Sequence, residues 1–404
     1  MWLNGDELIR TGGIYMGKYD FDKQIDRRGS GSLKWDVAEN ELPMWVADMD
    51  FQAAPEIREA LSAKIEHGVF GYSDLVPEWY SAYQNWWKNR HNFTIQKEWL
   101  VFSTGVIPSL SSIVRKLTTP NEKVILQTPV YNIFFNSIVN NGCKPLENPL
   151  KYENGEYSMD FEDLEEKMSN PQATLMFLCN PQNPASKIWD RATLAKVGEL
   201  AKKYGVVVVS DEIHCDITAP GTEYIPFASV SEDCAMNSIT CIAPTKAFNI
   251  AGIQTSAVFS ANPFLRHKVW RALNTDEVAE PNVFAQTATI VAFTKGADWL
   301  DEMRQYVFEN RKIVEDYVAK EIPGISVVKG DATYLVWIDI KSLGKSSDEV
   351  AHFIRKETGL YITEGIEYSE AGRYFLRMNV ACPKATLMDG LERLKRGINI
   401  LTAK

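Results

Sequence analysis

Three stretches of the chain are apolar without interruption: residues 173–179 (ATLMFLC), 206–210 (VVVVS) and 239–243 (ITCIA). A strand with one wet face alternates polar and apolar residues, whereas a strand covered on both faces does not. All three therefore predict buried, parallel strands. Between the first two, RATLAKVGELAKKYG has the period of an amphipathic helix and stops at Gly205, a natural helix terminator. The same alternation appears earlier. EWLVFSTG (98–105) leads into a helix with Ile107, Leu110, Ile113, Val114 and Leu117 on one face, and KVILQTPVY (123–131) follows as a strand. Strand–helix alternation over roughly 99–260 predicts an α/β domain with a large, doubly wound, mostly parallel sheet.

From EPNVFAQTATIVAF (280–293) the pattern changes to long helices that run to about residue 320. GISVVKGDATYLVWIDI then alternates like sheet strands. Helical SSDEVAHFIRKETG, strand-like RYFLRMNV and a last helix, KATLMDGLERLKRGINIL, complete the chain. This predicts a smaller α+β C-terminal domain. The expected division is a segment 1–50 packing with the small domain, a large domain 51–285 and the small domain 286–404. No repeat, low-complexity tract or flexible linker interrupts it.

Composition narrows the function. A chain of 404 residues, 45% hydrophobic, suits two domains rather than one. The formal net charge is −10 and the Lys and Arg residues are scattered, which argues against a nucleic-acid partner. No apolar run reaches the roughly 18 residues a membrane helix needs, and the N-terminus lacks the basic-then-apolar order of a signal peptide. Met16 offers an alternative start, so residues 1–15 are expected to be a weakly ordered leader. The six cysteines are far apart and form no C-x-x-C pair. That reads as reduced thiols of a cytoplasmic protein, with neither a disulfide framework nor a metal site.

Ligands in open α/β sheets bind beyond the carboxyl ends of the strands, so the residues after each strand carry the chemistry. NPQNP (180–184) is either a stiff turn or a turn presenting the Asn183 amide. DEIH (211–214) places Asp211 at the end of a strongly apolar strand, as a cap or as a buried acid needing a cation. Its His214 is either structural or a ligand. SITCIAPTKAFNIAG (238–252) contains Lys246, the only charged residue between Asp233 and Arg266. In apolar surroundings its amine is either nucleophilic, or snorkels to water from a loop. The helix opening at Gly105 and Val106 offers free N–H groups, where a phosphate fits as well as an ordinary helix start. An amine nucleophile, a buried acid, a carboxamide and a phosphate-ready helix on one sheet edge are together what pyridoxal 5'-phosphate requires. A nicotinamide cofactor is excluded by the lack of G-x-G-x-x-G after an early strand.

Read together, these motifs resemble the fold-type I pyridoxal-phosphate enzymes of the class I/II aminotransferase superfamily. N-P-x-N-P, D-E-I-H, T-K-x-F-N-x-A-G and R-x-N occur in that order across nearly the whole chain. LPMWVADMDF (42–51), GYSD (71–74), TPVYNIFF (128–135) and SDEIHCD (210–216) make it most similar to the C–S lyase branch, the MalY/PatB-type cystathionine β-lyases. The resemblance implies Lys246 as Schiff-base lysine and general base, and Asp211 as partner of the pyridine nitrogen. It sets Asn183 and His214 near the phenolic oxygen and Tyr131 on the ring, with a part in proton movement. Gly105, Val106, Ile107 and Thr245 would cradle the phosphate, with Tyr72 reaching it from a second subunit of a homodimer. Arg377 would hold the substrate carboxylate and Ala47 would line the substrate side. The implied reaction is α,β-elimination of a sulfur amino acid to pyruvate, ammonia and a thiol. The alternatives are an aminotransferase using the same residues, or a regulatory protein acting by protein contact. Three positions depart from the superfamily pattern: Ser186 replaces a glycine, His214 stands where many aminotransferases have Tyr, and Gln254 stands where many members have a phosphate-binding Arg. No second arginine presents itself for a dicarboxylate side chain.

Overall fold

The computed structural model describes residues 17–403; the expected leader 1–15 lies outside the described residues. Seven strands build the main sheet: β1 (Leu100–Ser103), β2 (Lys123–Thr128), β3 (Lys144–Pro149), β4 (Ala173–Cys179), β5 (Val207–Asp211), β6 (Ser238–Ile242) and β7 (Ser256–Phe259). Their order is β1-β7-β6-β5-β4-β2-β3. Strand β7 runs antiparallel to both its neighbours, and the other pairs are parallel. The uninterrupted apolar runs are β4, β5 and β6, nearly every residue of which is buried. Helices cover both faces, so neither face has a reason to alternate.

Local signals set the helix ends. The helix Arg191–Tyr204 begins at Asp190, whose side chain accepts the Thr193 N–H, and ends at Gly205 with φ 71°, a left-handed cap that glycine adopts without steric cost. It buries Leu194, Val197, Leu200 and Ala201. The helix Val106–Leu117 buries Leu110, Ile113 and Val114, while Ile107 and Leu117 at the ends of the predicted stripe are half-buried.

A second, antiparallel sheet is formed by β8 (Ser326–Val327), β9 (Leu335–Asp339), β10 (Thr363–Glu364) and β11 (Phe375–Asn379), in the order β8-β9-β11-β10. Helices Ala297–Glu321, Ser347–Thr358 and Lys384–Thr402 accompany it. The N-terminal segment binds here: Leu42 and Pro43 pair in parallel with Leu360 and Tyr361, and the Asp50 N–H donates to Ala381 O. The acidic pair in WVADMD is set against cations, Asp50 buried and Asp48 half-buried. Asp50 accepts from Lys34 Nζ at 2.8 Å, Arg27 Nη1 at 2.7 Å and Trp35 Nε1 at 2.7 Å, and Asp48 accepts from Arg27 Nη2 at 2.7 Å. Lys34 is only 1% exposed, so its charge is sustained by these carboxylates.

Ser186, at the glycine position of the superfamily turn, has φ 58°. Its Oγ donates to Leu335 O at 2.6 Å and lies 2.8 Å from Thr333 Oγ1. The backbone keeps the glycine conformation, and the added hydroxyl ties the turn to β9. All six cysteines are free and buried. No described helix is long and apolar enough to cross a membrane.

Candidate active site

Strand register brings the chemistry to one edge. Cys179 lies level with Asp211, and Asp211 with Cys241, so the turns after β4, β5 and β6 emerge side by side. They line a cavity of about 530 Å³ together with the start of the helix Val106–Leu117, the segment after β2, residues 45–47 and part of the second sheet. Lys246, Asp211, Asn183, His214, Tyr131, Gly105, Val106, Ile107, Thr245, Arg377 and Ala47 all line it. Tyr72 does not: it is fully exposed, in a stretch that also exposes Ile65, Val69, Phe70 and Val76.

Lys246 Nζ donates to Ala47 O at 2.6 Å, and the same oxygen accepts from the Tyr334 hydroxyl at 2.9 Å. Burial, helped by the Arg377 charge, pushes the Lys246 ammonium down to about 8, against the pull of Asp48 and Asp211. Asp211 receives one backbone donor, Ile213 N–H at 3.1 Å. Burial pushes its carboxyl up to about 6; a single amide does not replace the lost water. His214 is driven the other way by burial, then by Lys246 and Arg377, to about 3. It is a neutral imidazole, and its Nδ1 is buried with no partner. Burial also raises Tyr131, so its phenol stays protonated.

Arg377 connects the walls. Its Nη1 donates to Asn183 Oδ1 at 3.2 Å and its Nη2 to Trp45 O at 2.8 Å, while Nε is buried without a partner. The guanidinium lies 4.9 Å from the Tyr368 ring centroid. Two residues on, Asn379 Nδ2 donates to Val46 O at 2.6 Å and Asp48 O at 2.5 Å. The R-x-N motif is thus two same-side positions of one strand, fastening the Trp45–Asp48 backbone. Because Asn183 Oδ1 is taken by Arg377, its amide N–H groups are left to face the cavity.

The donor set fits pyridoxal phosphate. The helix Val106–Leu117 starts at Gly105 with no side-chain cap, leaving its first N–H groups to an anion. A Cβ on Gly105 would stand 3.2 Å from Pro108 Cδ, so the turn is tight. Gln254 lines the cavity beside Thr245 but offers an amide where an arginine would supply a charge. Buried Asp211 has no cation in hydrogen-bond contact, which a protonated pyridine supplies, and the Lys246 ammonium is brought down to about 8, within reach of its neutral form.

Sequence motifs did not reveal Leu33, Trp45, Ile133, Thr363, Glu367 and Tyr368, which also form the walls. Trp45 stood inside the recognised LPMWVADMDF block, adjacent to Ala47, and proximity was its only signal. Glu367 belongs to a turn (GIEYSEAG) with no motif at all. Arg377 is the only arginine among the described lining residues.

The family model for aminotransferase class I and II matches residues 38–394. The chain is 42% identical over 386 residues to cystathionine β-lyase PatB of Bacillus subtilis (strain 168), covering 94% of this chain and 100% of that protein. It is 31% identical to protein MalY of Escherichia coli (strain K12), covering 94% and 99%. The crystal structure of cystalysin from Treponema denticola, which contains pyridoxal 5'-phosphate, superposes with a TM-score of 0.92 at 32% identity, covering 95% of this chain and 99% of that one.

Proposed function

The chain belongs to the aminotransferase class I and II family, and from that premise we infer that it is a pyridoxal-phosphate-dependent carbon–sulfur lyase. It removes a thiol from a sulfur-substituted amino acid and yields pyruvate and ammonia. The observation that carries this reading is the pairing of a buried Lys246, its ammonium brought down to about 8, with a single cavity arginine, in a chain 42% identical over nearly its whole length to a cystathionine β-lyase. One arginine serves one α-carboxylate, so an amino acid with an acidic side chain such as aspartate or glutamate is a poor fit.

Each residue then has a task. Lys246 would hold the cofactor's aldehyde, Asp211 its ring nitrogen, Asn183 and His214 its phenolic side, Tyr131 its ring face, and Gly105, Val106, Ile107 and Thr245 its phosphate. When bound, the cofactor supplies an electron sink that acidifies the hydrogen on the substrate's α-carbon. Arg377 would grip the α-carboxylate, using the unpaired Nε and the fork geometry that suits a carboxylate; Ala47 lines the substrate's path. Lys246 Nζ, whose ammonium burial brings down to about 8, would accept the α-proton in its neutral form. The Cβ–S bond breaks with its electron pair leaving on sulfur. The protonated Tyr131 hydroxyl is suited to assist the proton movement. The released enamine takes up water to give pyruvate and ammonia.

Tyr72 belongs to the reading as a residue of the neighbouring subunit. Its full exposure among other exposed apolar side chains supports a twofold dimer in which each copy completes the other's phosphate site. The proposed division into 1–50, 51–285 and 286–404 is supported by the two separate sheets. A cytoplasmic location is supported by six free, buried thiols.

The test is to incubate the loaded protein with cystathionine and no 2-oxo acid. Catalytic pyruvate is the expected result. A single stoichiometric conversion of the cofactor to its amine form, with no pyruvate, would make the protein an aminotransferase.

A further inference from the structure

We propose that Tyr334 is a positioning residue for Lys246: its hydroxyl donates to the carbonyl oxygen that also receives the lysine, and so fixes where the amine stands and weakens that oxygen's hold on an ammonium. The proposal rests on the reading of Lys246 as the group that binds an aldehyde and accepts the α-proton, and deepens it by naming the residue that tunes it.

Ala47 O is the shared acceptor, at 2.6 Å from Lys246 Nζ and 2.9 Å from the Tyr334 hydroxyl. The carbonyls on either side of it, Val46 O and Asp48 O, are both held by Asn379 Nδ2, so the backbone that carries Ala47 O is pinned before and after it. Tyr334 is fixed as firmly. It is 1% exposed. The Thr333 N–H donates to Ile217 O, and Tyr334 O accepts the Val380 N–H. Its ring meets the His214 ring edge-on at 6.1 Å between centroids. The tyrosine therefore joins the turn after β5, the strand pair β9 and β11, and the Trp45–Asp48 segment, and its hydroxyl ends on the one oxygen that holds the lysine.

A carbonyl oxygen has two lone pairs, and two donors on it draw on the same negative charge. An ammonium gains more from that oxygen than a neutral amine does, because its hydrogen bond is charge-assisted. A phenol already donating there reduces this gain and favours the neutral amine. Other groups act on the same amine. Burial, then Arg377, favour its neutral form, and Asp48 and Asp211 oppose them. His214 and Tyr131, on the same cavity, are neutral. Burial, then Asp48, raise the Tyr334 phenol against the pull of Arg377, so it remains a donor wherever the amine titrates. When Lys246 is committed to an aldehyde, the Tyr334 hydroxyl stays on Ala47 O, and the buried carbonyl is not left without a donor.

Two changes at position 334 act in opposite directions. Tyr334→Phe removes the donor and keeps the ring. 3-Fluorotyrosine at position 334 keeps the hydroxyl and makes it a stronger donor. The readout is the pH midpoint for uptake of pyridoxal phosphate by the stripped protein, which in the wild type is expected near 8. Tyr334→Phe should raise the midpoint by about half a pH unit or more, and the fluorinated protein should lower it by roughly a few tenths. A tyrosine that only fills space would change stability without this pair of opposite shifts. A folded Tyr334→Phe with an unmoved midpoint overturns the proposal, as does a fluorinated protein whose midpoint stays or rises. If Tyr334→Phe does not fold, the fluorinated protein decides alone. Opposite shifts in a protein that releases no pyruvate from cystathionine uphold Tyr334 and overturn the lyase reading; pyruvate without the shifts does the reverse.

Discussion

Lys246 Nζ and Ala47 O are 199 residues apart in the chain and 2.6 Å apart in space. The carbonyl holds the amine at the cavity wall and also accepts from the Tyr334 hydroxyl. Since the amine titrates near 8, and only the neutral amine attacks an aldehyde, the rate of cofactor uptake by the stripped protein should rise with pH and level off above about 8. Below that value it should fall about tenfold per unit. A stopped-flow series from pH 6 to 10 measures this; a flat profile would remove the amine from the step. Lys246→Ala should abolish covalent attachment and lower elimination by at least ~10³-fold.

Asp211 should destabilise the cofactor-free protein above neutral pH. Its carboxyl is raised from 3.8 to about 6, so the fold prefers the protonated form. The stability this contributes is full below 3.8 and is lost as pH rises through about 6. Asp211→Asn removes the buried charge, so the cofactor-free variant should exceed wild type by up to ~3 kcal/mol at pH 8, with no advantage near pH 3.5. Its affinity for pyridoxal phosphate should fall. Urea titrations at the two pH values decide it: equal stability at pH 8 contradicts the argument.

Arg377→Lys keeps the charge and loses the fork. One charge-assisted hydrogen bond contributes about 1.5–3 kcal/mol, so KM for the amino acid should rise roughly ten- to a hundredfold, while cofactor content stays as in wild type. A KM unchanged within experimental error would leave the α-carboxylate without its assigned partner.

The proposed sharing of the site between two subunits is open to a complementation test. Lys246→Ala and Tyr72→Phe each damage a site, on opposite sides of the proposed interface. In a hybrid dimer one site inherits both defects and the other inherits neither. Co-expressed chains should therefore regain activity that neither homodimer has at limiting cofactor. Purely additive residual activities would mean that Tyr72 serves its own chain or none.

Residues announced by a strand end were legible in the sequence. Asp211, Asn183 and Lys246 follow apolar runs too continuous to be anything but buried strands, and parallel packing brings such ends together. Partners linked through the backbone were not legible, because a carbonyl carries no sequence signature. Nothing in LPMWVADMDF says that Ala47 O faces Lys246, or that Asn379 holds the carbonyls on either side of Ala47. Ser186 was legible as a departure from glycine, but not its consequence: the φ of 58° is retained and the hydroxyl bonds Leu335 O. Glu367 was invisible because its place comes from a short turn between β10 and β11.

The clamp on residues 45–48 has a bearing on synthesis. This segment leaves the ribosome among the first, yet its fasteners are Lys246, Arg377 and Asn379, the last two made only when the chain is nearly complete. Until then the carbonyls of Trp45, Val46 and Asp48 lack the donors that Arg377 and Asn379 supply. A chain halted before Phe375 would carry the lysine, the buried acid and the phosphate turn, and still be unable to close the pocket around them.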